Sequence, residues 1–107
     1  MTYSVNAAAR IVGPGLSKPG TARQLAAGSS SANTALTSTC ERISILAVTA
    51  DIRYLIGTSA QTANAATSHF IKAGERIDLD IPLGANIGII RDASTDGVLE
   101  LTEFSNY

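Results

Sequence analysis

The sequence predicts an all-β chain, a small antiparallel β-sandwich or jelly roll with an extended N-terminal arm, and three observations carry that expectation. The best-patterned segments repeat every two residues, as where Ile77, Leu79 and Ile81 alternate with Arg76, Asp78 and Asp80. Eleven isoleucines supply β-branched side chains of the kind that pack well on a pleated surface. Turn-forming segments recur at about 8–12-residue intervals after Cys40, which leaves no window long enough for a helical core stripe.

The elements follow in order. Residues 13–20, GPGLSKPG, combine three glycines with two prolines and read as turn or extended linker. Ala22–Ala27 alternates weakly, as a short strand or peripheral arm would, and residues 28–34, GSSSANT, are too small and polar to sustain a core. These features divide the chain into an arm with a peripheral strand at 1–35 and a sandwich body at 36–107. In Glu41–Thr49, Ile43, Ile45 and Ala47 share a face, and Ile52, Tyr54 and Ile56 align in the next strand. The tight Ala50-Asp51 connection predicts that these two strands pair antiparallel. Residues 58–67 hold no large apolar side chain and read as a surface loop. Ser68–Lys72, the turn at Ala73-Gly74 and the strand through Ile81 read as a hairpin. Asn86–Arg91 follows, with Ile87 and Ile89 inward. Asp96-Gly97 then favours a turn into Val98–Phe104, where Leu99 and Leu101 share one parity and the last residues are expected to cover an open edge.

Size and composition narrow the function. The chain of 107 residues and 11.0 kDa has room for one compact domain, and its small core makes a homo-oligomer an expected state. Charged residues are 16% of the chain, a deficit that favours contact surfaces over a heavily solvated one. Residues 1–40 carry Arg10, Lys18 and Arg23 and no acid, whereas the remainder carries nine acids and five bases. Three dispersed cations are too few for a nucleic-acid footprint, so no nucleic acid is expected as a partner. The longest aliphatic run, Ile45–Val48, is far short of the ~20 residues that span a bilayer, so no membrane association is expected either. The N-terminus lacks the apolar core of a signal peptide, and one cysteine, Cys40, excludes an internal disulfide scaffold.

Each chemistry-bearing residue has a plainer role beside its functional one. His69 and Cys40 offer no metal-ligand spacing, and a nucleophilic pair made from them would still need an orienting third group. Asp78 and Asp80 share a strand face at about 6–7 Å, as any i, i+2 pair does, and Arg76 on that face compensates their charge. Asp92, Ser94 and Asp96 lack the pattern of a calcium loop and are explained by turn formation. No phosphate-cradling or dinucleotide motif is present. The sequence therefore predicts no enzyme, no cofactor and no metal. The residues singled out as contact candidates are Arg10, Lys18, Arg23, Tyr54, His69, Phe70, Arg76, Asp78, Asp80 and Phe104.

One segment resembles a known group. Residues 43–104 run through a strand ending in Ile56-Gly57, a Thr/Ala-rich loop with Ala65 and Thr67, and the stretch His69, Phe70, Ile71, Ala73, Gly74 and Glu75. They close with Gly97, Val98, Leu99, Glu100 and Leu101. This pattern resembles small bacteriophage virion proteins. The resemblance implies a structural subunit of a tailed phage particle, a capsid decoration or cement protein, made in the host cytoplasm and resident in the virion. Its implied partners are the major capsid protein or other virion subunits, without cofactor or reaction. A head–tail or tail accessory subunit is the alternative within that group. A carbohydrate-binding virion surface module, using Tyr3, Tyr54, Phe70, Phe104 and Tyr107, is the alternative outside it.

Overall fold

The computed structural model describes residues 18–105. They form eight strands: β1 (Lys18–Ala27), β2 (Ala32–Ala35), β3 (Arg42–Val48), β4 (Ile52–Gly57), β5 (His69–Ile71), β6 (Arg76–Asp80), β7 (Asn86–Arg91) and β8 (Gly97–Ser105). Two four-stranded antiparallel sheets result. The front sheet runs β1-β8-β3-β6 and the back sheet runs β2-β7-β4-β5. The all-β sandwich expected from the alternation is the fold observed.

The order has a simple origin. β1 pairs with β8, β2 with β7, β3 with β6 and β4 with β5, all antiparallel. These are four nested pairs of one long hairpin whose tip is the 58–68 loop, rolled so that alternate pairs fall in opposite sheets. β3 against β8 and β4 against β7 then complete each sheet. Such rolling is the jelly-roll arrangement.

The alternating residues meet in the middle. Ile43, Ile45, Leu99 and Leu101 from the front sheet face Ile52, Ile71, Ile87 and Ile89 from the back sheet, each at most 1% exposed. Burial of each such side chain contributes about 1.5–3 kcal/mol. Four leucines and isoleucines at the margin, Leu25, Ile56, Ile77 and Leu79, pack against this cluster.

Three expectations about connectivity are corrected. β3 and β4 do not pair with each other, because the chain crosses from one sheet to the other between them, turning at Thr49 with φ 78°. Their apolar faces therefore oppose each other across the core instead of lying side by side. β5 and β6 likewise belong to different sheets; Gly74 does adopt a positive φ of 87°, but in an arch between sheets and not in a hairpin. β8 is an interior strand between β1 and β3 and covers no edge.

The N-terminal third enters both sheets. Lys18–Gly20, read as linker, begin the ten-residue β1, and Ala32–Ala35, within and just after the polar GSSSANT segment, form β2. Small side chains suffice there because both strands lie at sheet edges, where the backbone ladder and not side-chain burial holds them. The remainder of the expected arm, residues 1–17, lies outside the described residues. Among the described residues no helix is long and apolar enough to cross a membrane.

Candidate functional site

Register places several of the contact candidates on one surface, the outer face of the front sheet. Arg42 lies between Phe104 and Asp80, Ser44 between Thr102 and Asp78, and Leu46 between Glu100 and Arg76. Val48 opposite Val98 completes the pattern. Side chains two apart in a strand share a face, so Arg76, Asp78, Asp80 and Phe104 stand together with Leu46, Val48 and Val98. Val48 is 37% exposed, while Leu46, Val98 and Phe104 are half-buried.

Two cations of this face have partners within it. Arg42 Nε donates to Asp80 Oδ1 at 3.2 Å, and Arg76 donates to the buried Ser44 hydroxyl at 2.9 Å. A shallow hollow of about 200 Å³ lies beside Arg42, Asp78, Leu79 and Asp80. Asp80 remains largely in water, its side chain 82% exposed. The face thus combines a half-open aliphatic strip with a charged margin, the composition that a protein contact uses.

A second group of candidates sits across the β4–β5 pair. Tyr54 is buried, with its ring 5.4 Å from that of His69, so it is a core side chain and offers no free aromatic platform. Burial, and then the negative charge of Glu75, push its phenol above the ordinary range. Phe70 is exposed, but Arg53 lies over its ring at 4.9 Å. Arg53 is itself held by Asp92 Oδ1 at 2.8 Å and by the Ser68 carbonyl at 3.0 Å. A sugar-binding surface needs open ring faces; the Tyr54 ring is taken up by the core and one face of Phe70 by Arg53.

Arg23 turns inward from β1. Its Nε donates to Glu103 Oε2 at 2.9 Å, and the Thr37 N–H donates to the same oxygen at 3.1 Å. The Glu103 side chain is 4% exposed. Burial alone would raise its pKa, but the hydrogen bonds from Thr37 and then Arg23 outweigh burial and hold the carboxyl below its ordinary value. The sequence reading named Arg23 and missed Glu103. The signal was its parity, since Glu103 continues the inward row of Leu99 and Leu101, and an inward acid requires a partner. Lys18 is exposed at the start of β1 opposite Ser105, and Arg10 lies outside the described residues.

The remaining groups are engaged in structure. The Cys40 thiol is buried and donates to the Arg42 carbonyl. Asp92 and Asp96 of the loop before β8 accept from Arg53 and Arg91. Among the described residues no three His, Cys, Asp or Glu side chains gather as a metal site would require.

The chain matches no protein-family model, no curated protein and no solved structure.

Proposed function

We propose that the chain is a structural subunit of a bacteriophage particle, a decoration protein that cements the capsid by seating the outer face of its front sheet on the major capsid protein. The observation that carries this reading is the half-open strip of Leu46, Val48 and Val98, bordered by Arg42 and Arg76 that already have partners on the face, on a sheet whose opposite face is the core. Side chains ordered before contact lose little freedom on docking. The virion-like pattern in residues 43–104 supplies the particle. The jelly-roll order supports the reading at the level of fold analogy alone, since such rolls serve in viral capsid and lectin domains among others.

Four short strands offer less than the roughly 800 Å² per partner of a standard stable interface, so each contact is weak. Many identical contacts on a repeating shell still stabilise the assembly. Substituting Val48→Lys tests the idea. The residue is exposed, so the variant keeps its melting temperature, while its occupancy on purified particles falls at least about tenfold through one uncompensated desolvated charge. Unchanged occupancy and unchanged particle heat resistance would overturn the proposal.

A further inference from the structure

The two sheets end in four edges, and the fold treats one of them differently. β5 is three residues long, which leaves little backbone to template a partner. β2 is four residues long, and its Asn33 side chain, with Ser31 just before it, accepts hydrogen bonds from Gln61 and Ala63 of the 58–67 loop. β6 carries Arg76, Asp78 and Asp80 along five residues, a charged edge that resists pairing. β1 is irregular at its start, where Pro19 and a register shift before Ala22 interrupt the edge, but from Ala22 on it has none of these protections. It is ten residues long, and among the described residues its only strand partner is β8. Its regular stretch, Ala22–Ala27, contains one charge, Arg23, and that charge is already neutralised by Glu103.

We infer that the free edge of β1 pairs antiparallel with β1 of a second copy about a two-fold axis at Gln24, joining two front sheets into one of eight strands. A strand can meet itself in this way only if like charges do not fall opposite each other. Centred on Gln24, Ala22 faces the second copy's Ala26 and Arg23 faces its Leu25. The one charge therefore keeps its Glu103 partner and meets an aliphatic side chain. The exposed Gln24 amides lie side by side on the axis, each able to donate to and accept from the other. Lys18, the only other cation of the strand, is carried to opposite ends of the joined pair, roughly 40 Å apart at about 3.3 Å per residue.

The geometry has two further consequences. An axis perpendicular to the sheet keeps both outer faces on the same side, so the strip of Leu46, Val48 and Val98 is duplicated on one continuous surface. Each β1 also begins, at Lys18, beyond the point where the second copy's β1 ends at Ala27. The pairing is a property of the protein in solution and goes beyond the capsid reading. A dimer that failed to bind particles would overturn that reading and leave this inference standing.

Sedimentation velocity on the full chain tests it, over a range up to about 200 µM, where a weak but specific two-fold contact is populated. The expected result is a dimer of twice the 11.0 kDa chain mass. Gln24→Glu sets two carboxylates against each other on the axis, each beside its own Glu100 on β8, and weakens the dimer by at least about tenfold, with an unchanged far-ultraviolet strand spectrum as the check on folding. Gln24→Cys gives a disulfide-linked dimer on mild oxidation, whereas Asn33→Cys on β2 stays monomeric. Three results would overturn the inference: a monomer across the whole range, equal dimerisation by Gln24→Glu, or a monomeric full chain that dimerises only after residues 1–17 are removed. The last would assign the edge to the chain's own N-terminal segment.

Discussion

The two outer faces of this sandwich are finished in opposite ways. On the back sheet, the 58–67 loop between β4 and β5 lies over β7 and beside β2. Its Gln61 carbonyl lies so close to Gly88 that a side-chain carbon there would stand 2.5 Å from it, and its Ala63 is buried. On the front sheet, Val48 stays exposed, Arg42 is held by Asp80 and Arg76 by the Ser44 hydroxyl, with no loop laid across them among the described residues. A face capped by its own chain cannot receive a partner without local unfolding. A face left bare but already ordered can. Among the described residues, the difference separates a back-sheet face partly closed by its own chain, with Phe70 still exposed, from a front-sheet face on which no loop is laid.

The largest expected effect comes from breaking the covered face. Gly88→Ala places its methyl against backbone, which has no rotamer by which to withdraw, so the loop lifts from β7. The destabilisation is about 3 kcal/mol, at the upper end for overpacking, and urea unfolding measures it. Limited proteolysis should cut the variant within 58–67. A variant as stable and as resistant as the parent would show that the loop is not seated and that the two faces do not differ in this way.

The next effect concerns the attachment of β1 to the front sheet. Arg23→Ala removes the cation from a buried carboxylate and costs about 2 kcal/mol at neutral pH, reduced from the fully buried case because the Arg23 side chain is 27% exposed. The pH dependence has a definite sign. Glu103 has a folded pKa below its ordinary 4.5, so its contribution is present above that value and disappears as the pH falls through the lower folded value. The gap between parent and variant is therefore widest near neutrality and closes as the pH falls through the lowered folded value, where the carboxyl becomes protonated. A gap that is constant with pH would mean that Arg23 acts through packing alone.

How legible these features were depends on their range. Alternation in β6 and β3 is local, so Ile77, Leu79, Ile43 and Ile45 could be assigned to the core from the sequence, and the sandwich followed. Pairing is not local. Ala50-Asp51 has the length of a hairpin turn, but the same two residues serve an arch when both flanking strands need the core on their facing sides, as Ile45 and Ile52 do. The Ala73-Gly74 step misleads for the same reason: a positive φ marks a sharp change of direction without saying whether it lies in the sheet or across it. The front-sheet face was half legible. Arg76, Asp78 and Asp80 share a face by parity alone, whereas Arg42, Leu46 and Phe104 join them only through a register that spans most of the chain. The covered back face left almost no trace, because Gln61 and Ala63 are held by side chains from Ser31 and Asn33, about thirty residues away, and by a glycine whose missing side chain is visible only in three dimensions.

The smallest expected effect on stability sharpens the comparison most. Asp80→Asn removes the charge from an ion pair whose acid is 82% exposed, so it changes stability by less than about 0.5 kcal/mol. Its nearest cation, Arg42, stays in place on β3, and the outer face loses one negative charge without losing shape. If the front sheet docks through this face, a shift in its charge balance alters association with particles and the salt dependence of that association, while the melting curve stays where it was. The back-sheet change at Gly88 has the opposite profile, a large loss of stability arising from a residue that touches no partner. A binding experiment in which Asp80→Asn behaves as the parent at both low and high salt would remove the charged margin from the contact and confine docking to the aliphatic strip around Val48.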